Sequence, residues 1–316
     1  MNKRKAIGID FGGTVVKVAL VDTTGTILKS VRFHTVTAKT YEAWFRRVEK
    51  IITRFLNEHN DIAGIGIGIP GFVDFKKGFV YQVTNLDGWK NIPIAVQMKK
   101  RFHLPVFVDN DANAFALGEC TFGAGRGYQH AVFVTLGTGV GGAIYINGSL
   151  YRGAFSMAGE LGHVSIRMNG HKTSEGKGGV ETYVGINAVT KYALHAIQTG
   201  RHSLLEKLAK GNLTSITPKL IALAARKRDS LAIEVFDKAA DCLATALASV
   251  TYLIQPEVFI VGGGIAQSGN VLFRPLKKHL AERLNPIFAD RILVIPATLK
   301  NQAGMIGSAT LVFKHL

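Results

Sequence analysis

The chain of 316 residues, 47% apolar and 19% charged, is long and apolar enough to bury one large core or two smaller ones. We do not expect a membrane protein, because no apolar run reaches the length of a membrane span. A secretory signal peptide is not expected either, because Asp10 and two glycines interrupt the apolar stretch near the amino end. The two cysteines, Cys120 and Cys242, lie in apolar helical contexts, which favours the reducing cytoplasm. The net charge of +16 comes from basic residues scattered along the chain, which indicates either a solvated basic surface or an attraction for nucleotides or polyphosphate.

A glycine turn between two predicted strands is the first feature in chain order. Residues 5–20 predict a strand that ends near Asp10, a turn at Gly12-Gly13, and an antiparallel returning strand. Glycine allows close backbone approach, so a phosphate could lie against the N–H groups of this turn, and Asp10 could hold a metal-bound water. An ordinary glycine hairpin explains the same residues.

Helices and strands alternate in the segment that follows. Apolar residues recur at helical spacing over residues 41–58, and a second helix is predicted at 94–102. Residues 65–69 predict a buried strand, and residues 85–93 predict a polar loop with one large aromatic residue. This alternation is typical of an α/β fold.

Three polar residues, Asp109-Asn110-Asp111, separate a predicted buried strand from an alanine-rich segment that suits a helix. Such a junction offers backbone N–H groups, and α/β folds bind their ligands at the ends of strands. We interpret Asp111 as the group that takes a proton from a substrate hydroxyl and Asn110 as a residue that holds the substrate. The alternative is that all three residues cap the helix, for which Asp and Asn are favoured.

A second glycine hairpin repeats the design of the first. The glycine-rich segment 123–127 predicts a domain boundary, and residues 131–150 then predict a buried strand, a Gly/Thr turn and a returning strand. Two such hairpins in two domains predict a duplicated fold that holds one phosphate chain from both sides.

The remaining segments carry further glycine turns and long helices. Gly159-Glu160-Leu161-Gly162-His163 precedes a polar glycine-rich loop that ends at Glu181. Glu160 and His163 also have ordinary interpretations, as a surface carboxylate and a packed core histidine. The predicted helices are 184–198, 216–227, 229–254, 271–283 and 303–315, and the predicted strands are 258–264, which enters the turn Gly262-Gly263-Gly264, and 291–296.

Five motifs stand in an order that resembles the actin-like, hexokinase-type ATPase superfamily. They are Gly8-Ile9-Asp10-Phe11-Gly12-Gly13-Thr14, Asn110-Asp111, Leu136-Gly137-Thr138-Gly139, Gly262-Gly263-Gly264 and Ala303-Gly304. Together with Glu160-Leu161-Gly162-His163, they resemble the ROK family of bacterial sugar kinases and repressors, and its glucokinases in particular. The resemblance covers essentially the whole chain.

The resemblance implies a role for each matching residue. Asp111 is implied as the catalytic base. Asp10, at the end of the first predicted strand, is expected near the hydration shell of Mg²⁺. The implied substrate-binding residues are Asn85, Asn110, Asp111, Glu160, His163 and Glu181. The implied phosphate loops are Gly12, Gly13 and Thr14 together with Gly137, Thr138 and Gly139, and the implied adenosine loop is Gly263 and Gly264.

One segment departs from the family pattern. Many members carry cysteines after the histidine and bind structural zinc there, whereas residues 171–181 of this chain contain no cysteine. His163, His171 and Glu175 would make only a poor substitute site, because tetrahedral zinc needs thiolates or several histidines. We therefore expect no structural zinc.

The resemblance also implies the architecture and the activity. It implies an α/β, two-domain actin-like (ribonuclease H-like) fold with a central cleft, a smaller domain at 1–121 plus 303–316, a larger domain at 122–302, and a homodimer. Because the first loop begins within ten residues of Met1, no DNA-binding segment is expected. The implied activity is phosphoryl transfer from ATP, with Mg²⁺, to a hexose such as glucose. The alternatives are another sugar (N-acetylmannosamine, allose or fructose), polyphosphate as donor, or a non-enzymatic sugar sensor.

Overall fold

The computed structural model describes residues 4–38, 40–83, 86 and 88–316. Over these residues it shows strands and helices in alternation, which confirms the predicted α/β class. None of the helices in this described part is long and apolar enough to cross a membrane.

The elements of secondary structure are numbered along the chain. The strands are β1 (Lys5–Phe11), β2 (Val15–Asp22), β3 (Ile27–His34), β4 (Ile62–Ile69), β5 (Phe72–Asp74), β6 (Phe79–Gln82), β7 (Lys90–Ile92), β8 (Val106–Asn110), β9 (Ala131–Leu136), β10 (Val140–Ile146), β11 (Ser149–Tyr151), β12 (Lys172–Thr173), β13 (Gly176–Lys177), β14 (Val258–Gly262) and β15 (Leu293–Pro296). The α-helices are α1 (Tyr41–Glu58), α2 (Ile94–Phe102), α3 (Asp111–Phe122), α4 (Glu181–Val184), α5 (Ile186–Gln198), α6 (Leu204–Leu208), α7 (Pro218–Arg226), α8 (Ser230–Ile254), α9 (Asn270–Ala281), α10 (Pro286–Ala289) and α11 (Ala303–His315).

Two five-stranded sheets share one strand order. The first has the order β3-β2-β1-β4-β8, in which the first three strands are antiparallel and β4 and β8 run parallel to β1. The second has the order β11-β10-β9-β14-β15, with β14 and β15 parallel to β9. The repeated order is that of a duplicated ribonuclease H-like unit, as the two glycine hairpins predict.

Helix α11 lies directly against the first sheet. A Cβ atom built on Gly8 would be 2.0 Å from the carbonyl oxygen of Met305, and one on Gly66 would be 1.7 Å from that of Ser308. Only glycine permits this approach, which lets the Ser308 hydroxyl donate a hydrogen bond of 2.9 Å to the Ile9 carbonyl. The glycines of β1 and β4 thus determine where α11 packs.

The opposite face of the first sheet packs on α1. Trp44, Val48 and Ile52 of this helix are fully buried against strand residues such as Ile7 and Ile9. Their spacing of three to four residues is the apolar stripe that predicts the helix in the sequence. Thr40 caps α1 by accepting a hydrogen bond from the Ala43 N–H.

The chain divides into two compact units. The first contains the chain up to Tyr128, Ile144–Ala158 and Thr298–Leu316, and the second contains Gln129–Ala143 and Gly159–Ala297. The core of the second unit is built largely on α8, whose buried face includes Phe236, Leu243 and Leu247. The domain boundaries expected at 121/122 and 302/303 stay a prediction; in the structure residues 144–158 pack with the first unit.

Glu119 is a fully buried carboxylate near the end of α3. One oxygen accepts a hydrogen bond of 2.8 Å from the Ala124 N–H, and the other accepts one of 2.8 Å from the Leu299 N–H. The Thr298 N–H also donates, at 3.2 Å. A buried charge is stable only with such partners. Glu119 therefore connects the backbone at residue 124, just before the first unit ends at Tyr128, to the backbone at residues 298–299, where its last segment begins.

The predicted helices and strands are present, but only a few of them have the predicted bounds. Helices α1, α2 and α11 begin and end at the predicted residues, whereas 184–198 is two helices, α4 and α5. Strand β3 and the small sheet β5-β6-β7 are absent from the prediction. Strand β3 lies at the edge of its sheet, and its residues alternate between half-buried and exposed. Its sequence therefore has a weaker apolar pattern than that of a buried strand.

Candidate functional site

Asn110 and Asp111 lie at the junction of β8 and α3. Asn110 is the N-cap of α3, and its Oδ1 accepts a hydrogen bond of 2.8 Å from the Ala112 N–H. Its Nδ2 donates a hydrogen bond of 3.1 Å to the Gly71 carbonyl. Asp111 is the first residue of the helix, and its Oδ1 accepts a bond of 2.9 Å from the same Ala112 N–H. Both side chains are held at the carboxyl end of a parallel strand.

Asp109, the residue before them, is a buried structural group. It is 1% exposed, and its Oδ2 accepts hydrogen bonds from the Arg152 Nε at 2.9 Å and Nη2 at 2.7 Å. The three polar residues therefore have separate roles: Asn110 caps the helix and Asp109 forms an ion pair. Asn110 and Asp111 both accept from the Ala112 N–H at the start of α3, whereas Asp109 pairs with Arg152, so the alternative that all three only cap the helix is wrong for Asp109.

The first glycine loop, Gly12-Gly13-Thr14, connects β1 to β2. A Cβ atom on Gly13 would meet no other atom within 4 Å, so this part of the backbone faces open space. The Thr35 hydroxyl supports the loop with a hydrogen bond of 2.7 Å to the Gly12 carbonyl. The arrangement suits a phosphate that approaches the main chain.

Asp10, next to this loop, is paired with a lysine. Lys17, its cross-strand partner on β2, donates to Asp10 Oδ2 at 2.8 Å and to the Asn301 carbonyl at 3.3 Å. The carboxylate occupies space that a side chain at Gly304 would fill, since a Cβ there would be 2.6 Å from Asp10 Cγ. Gly304 is therefore needed as a close neighbour of Asp10.

The second glycine loop, Gly137-Thr138-Gly139, connects β9 to β10 and packs against Glu181. Glu181 Oε2 accepts a hydrogen bond of 2.9 Å from the Val140 N–H, and a Cβ on Gly139 would be 1.9 Å from the same oxygen. The Gly137 carbonyl accepts a bond of 3.0 Å from the Ile186 N–H at the start of α5. Glu181 thus contacts the predicted phosphate loop directly.

The predicted adenosine loop follows β14. Gly263 has a φ of +90°, and a Cβ on it would be 2.4 Å from the Leu136 carbonyl oxygen. A Cβ on Gly264 would meet nothing within 4 Å. Glycine is thus required at position 263 by its positive φ and by the nearby Leu136 carbonyl. At position 264 the absence of a side chain leaves the backbone open to a ligand.

Glu160 and His163 lie on one short 3₁₀ turn. Gly159 has a φ of +97°, which only glycine adopts readily, and this conformation leads the chain into the turn. His163 Nε2 is 3.7 Å from Glu160 Oε2, and the two side chains are 31% and 35% exposed. Both side chains are partly exposed, and their roles in binding stay predictions.

The loop that replaces the family's cysteine segment folds on backbone hydrogen bonds. Strands β12 and β13 pair, Ser165 bridges to Gly179, and the Val180 N–H donates to the Val164 carbonyl at 3.0 Å. The described residues contain no group of three or more His, Cys, Asp or Glu side chains that could hold a metal ion. The expected absence of structural zinc stays a prediction, but the loop has a metal-free means of bringing Glu181 back.

A cavity of about 410 Å³ in the second unit joins the second glycine loop to Glu181. Its lining residues are Thr138, His171, Glu181, Thr182, Asn187, Ala188 and Lys191. The cavity brings one predicted phosphate-loop residue together with one predicted sugar-binding residue. It also includes two polar residues that the sequence analysis missed, Asn187 and Lys191, which lie on α5 one helical turn apart.

The environment of Glu160 predicts that its contribution to the stability of the folded protein changes with pH. Burial raises its pKa above the ordinary value, as do the charges of Glu175 and Glu181, while His163 opposes them. A group whose pKa is higher in the folded than in the unfolded protein stabilises the fold when it is protonated. This stabilisation is complete below the unfolded pKa of about 4.3 and is lost as the pH rises through the folded pKa. We therefore expect Glu160→Gln to raise the thermal midpoint of the ligand-free protein at pH 7, with a difference that vanishes near pH 4.

Glu234→Gln is the control with the opposite sign. Hydrogen bonds from Tyr192, Arg201 and Lys238 lower the pKa of Glu234 to about 2, so its contribution is present above the unfolded pKa and lost as pH falls. This variant should have a lower midpoint than the parent at pH 7. Differential scanning calorimetry from pH 4 to pH 7 measures the thermal midpoints of both variants. A Glu160→Gln variant that is less stable than the parent at pH 7 would contradict the raised pKa of Glu160.

The structure describes the predicted site residues of both units, with one exception. Asn85 lies outside the described residues. In the first unit, the structure describes Asp10, the first glycine loop, Asn110 and Asp111; in the second, it describes the second glycine loop, Glu160, His163, Glu181, Gly263 and Gly264. Lys17 was missed, although counting outward from the Gly12–Val15 turn pairs it with Asp10. Arg152 gives no such local signal.

Comparison with known proteins gives consistent results over the whole chain. The sequence profile of the ROK family matches residues 6–315. The glucokinase of Thermotoga maritima is 36% identical over 317 aligned positions, which cover 100% of this chain and 99% of that protein. The xylose repressor of Bacillus spizizenii is 26% identical, covering 98% of this chain and 77% of that protein.

A solved structure is similar to the same extent. The crystal structure of a ROK family glucokinase from Streptomyces griseus, in complex with glucose and AMPPNP, is 33% identical and superimposes with a TM-score of 0.87 over 98% of this chain and 99% of that one. This similarity confirms the predicted actin-like, two-domain class of fold. With the family profile matched from residue 6 to residue 315, the chain belongs to the ROK family.

Proposed function

We propose that this protein is an ATP-dependent glucokinase, which transfers the γ-phosphoryl group of ATP to a hydroxyl of glucose. The observation that carries the proposal is Asp111, a carboxylate at the start of α3 in a chain that aligns from end to end with a glucokinase. A sugar sensor needs no base at this position. The glucokinase from Streptomyces griseus, which was crystallised with glucose and AMPPNP, supports both substrates.

In the proposed reaction, Asp111 takes the proton of the attacking sugar hydroxyl. The hydroxyl oxygen forms a bond to the γ-phosphorus, the bond from that phosphorus to the bridging oxygen breaks, and ADP leaves. Asn110 binds the sugar with the hydrogen-bonding capacity that its two internal bonds leave, namely one N–H and one lone pair on Oδ1. Because those internal bonds fix its rotamer, the remaining groups point in one direction.

The glycine loops would bind the phosphates of ATP through backbone N–H groups. Gly13, Gly137 and Gly264 all lie where a side chain would enter open space, which suits close approach of a ligand to the main chain. Lys191, which lines the cavity next to Thr138, adds positive charge to the phosphate side of the second unit. Gly263 and Gly264 would support the adenosine.

We propose that Mg²⁺ accompanies ATP and that Asp10 contacts its hydration shell. Mg²⁺ is usually held by one or two carboxylates, waters and substrate phosphates, and a single carboxylate beside a phosphate loop fits that donor set. When bound, the ion neutralises charge on the transferred phosphoryl group. Lys17, at 2.8 Å from Asp10 Oδ2, leaves Oδ1 as the oxygen available to a metal-bound water.

Glu160, His163 and Glu181 would bind sugar hydroxyls. Glu181 uses Oε2 for the Val140 N–H, so Oε1 is the oxygen suited to a substrate. Asn85 is retained in the proposal on the resemblance alone. The cleft between the domains, the homodimer, the cytoplasmic location and the absence of a DNA-binding segment also stay predictions, and sedimentation equilibrium would test the dimer.

A coupled ADP-release assay tests the function. We expect saturable ADP release with ATP, Mg²⁺ and glucose, and none when Mg²⁺ is replaced by a chelator. The same assay with N-acetylmannosamine, allose and fructose, and with polyphosphate as donor, decides between glucose and the alternatives. Glucose binding by calorimetry without phosphorylation under any of these conditions would contradict the proposal and favour a non-enzymatic sugar sensor.

A further inference from the structure

Arg152 and Asp109 form an enclosed ion pair within the first unit. Both Nε and Nη2 of Arg152 donate to Asp109 Oδ2, at 2.9 and 2.7 Å, and the two side chains are 20% and 2% exposed. The guanidinium also lies over the ring of Phe75, 3.8 Å from its centroid. The arginine is thus held on its face by an aromatic ring and at its edge by a carboxylate, which leaves it one orientation.

The other oxygen of Asp109 is bound to the start of α3. Oδ1 accepts hydrogen bonds of 2.8 Å from the Asn110 N–H and 2.8 Å from Asn113 Nδ2. Asp109 therefore connects Arg152, on the segment after β11, to the backbone between the proposed sugar ligand and the proposed base. Its orientation determines the orientation of the peptide group that precedes Asn110.

Stability alone does not explain such a pair. Removing a carboxylate and a guanidinium from water costs about as much free energy as their attraction returns, and apolar replacements are often as stable. What a buried pair with four directed hydrogen bonds does provide is a fixed geometry. In this chain that geometry is imposed one residue away from Asn110 and two residues away from Asp111.

We propose that Arg152 is a positioning residue of the site: by holding Asp109, it fixes Asn110 and Asp111 in the orientation that the reaction needs. This inference rests on the proposed kinase function. Arg152 itself touches neither the sugar nor ATP in this proposal. Small displacements of a catalytic group reduce rate steeply, and a shift of ~1 Å can cost about 10²-fold.

Arg152→Met tests the proposal, because methionine keeps an unbranched stem against Phe75 and removes every donor to Asp109. We expect kcat to fall by ~10²-fold, while KM for ATP stays within about twofold because the glycine loops are untouched. Arg152→Lys should recover part of the loss, since it restores a charge but not two N–H bonds to one oxygen. Hydrogen exchange at the Asn110 and Ala112 amides should be faster in Arg152→Met and intermediate in Arg152→Lys.

Arg283→Met is the matched control. It breaks an ion pair between Arg283 and Asp241 in the second unit, and the other side-chain hydrogen bonds of Arg283 go to Thr245 and to the His279 carbonyl, neither of which is a proposed site residue. Its kcat and its exchange at Asn110 and Ala112 should equal those of the parent, even if it loses stability.

Each outcome decides the proposal. Unchanged exchange and a parental kcat in folded Arg152→Met would overturn it, and an equal fall in Arg283→Met would reduce the effect to general stability. If Arg152→Met does not fold, the double variant Asp109→Asn, Arg152→Met leaves no unpaired buried charge and receives the same two measurements. If the parent protein releases no ADP, the kinase function fails, and amide exchange at Asn110 and Ala112 still shows whether Arg152 holds the junction.

Discussion

Asp111→Ala is expected to lower kcat by ~10²–10⁴-fold, the usual contribution of a positioned general base. Asn110 remains as the N-cap of α3, so the helix keeps the hydrogen bond to the Ala112 N–H that organises its first turn. We therefore expect the variant to fold and to bind glucose with nearly parental affinity. Steady-state kinetics give kcat, and calorimetry gives the affinity for glucose.

Asp61→Ala is the control for this prediction. Asp61 is a partly exposed carboxylate in the same unit, and it pairs with Lys5 at 3.0 Å. Its loss should leave turnover within about twofold of the parent, as expected for a surface ion pair. A turnover near that of the parent in Asp111→Ala would remove Asp111 from the mechanism and, with it, the main support for a kinase.

We expect Glu160 and Glu181 to determine which sugars the protein accepts. A site built to hydrogen-bond a hydroxyl can reject an analogue without it by up to ~10⁴–10⁵-fold, because the carboxylate is left buried and unpaired. We expect deoxy analogues of glucose to show this loss in kcat/KM at the positions that the two carboxylates contact. Glu160→Gln and Glu181→Gln should each raise KM for glucose by ~10–10²-fold, the value of one hydrogen bond to a charged group.

Glu175→Gln separates recognition from general electrostatics. Glu175 is an exposed carboxylate on the same loop, and its charge acts on Glu160 without a proposed contact to the sugar. Its KM should stay within about threefold of the parent, the range of a solvent-exposed charge. Normal glucose kinetics in both Glu160→Gln and Glu181→Gln would mean that the acceptor is another molecule or that this loop does not bind it.

The fold could be predicted where a local pattern determines an element. Apolar spacing gives α1 its bounds, and each of the two glycine turns predicts the hairpin at the start of one sheet. The edge strand β3 and the small sheet β5-β6-β7 were missed, because short half-exposed strands derive their stability from neighbours rather than from their own sequence. Nor does local sequence show that α11 belongs against β1 and β4; that follows from Gly8 and Gly66 only once the packing is known.

The residues of the candidate site also fall into two groups, those that the sequence predicts and those that only the structure reveals. Asp111, Glu160 and the glycine loops were predicted from motifs of consecutive residues, and their roles stay predictions. Arg152 could not be predicted in this way, since its partner is 43 residues away and the pairing depends on how the segment after β11 packs. Lys191 and Asn187 become visible only through the cavity that they share with Thr138.

Helix α11 imposes an order on the synthesis of the protein. It covers the face of the first sheet formed by β1 and β4, yet it is made after the whole of the second unit. At 5–20 residues per second, roughly 10–40 s pass between the translation of Tyr128 and that of His315. During that interval the growing chain exposes the surface around Gly8 and Gly66, and Glu119 lacks the amides of Thr298 and Leu299. The second unit, which is contiguous apart from residues 144–158, can complete its core first, so the amino-terminal unit is the one whose apolar surface stays uncovered longest during synthesis.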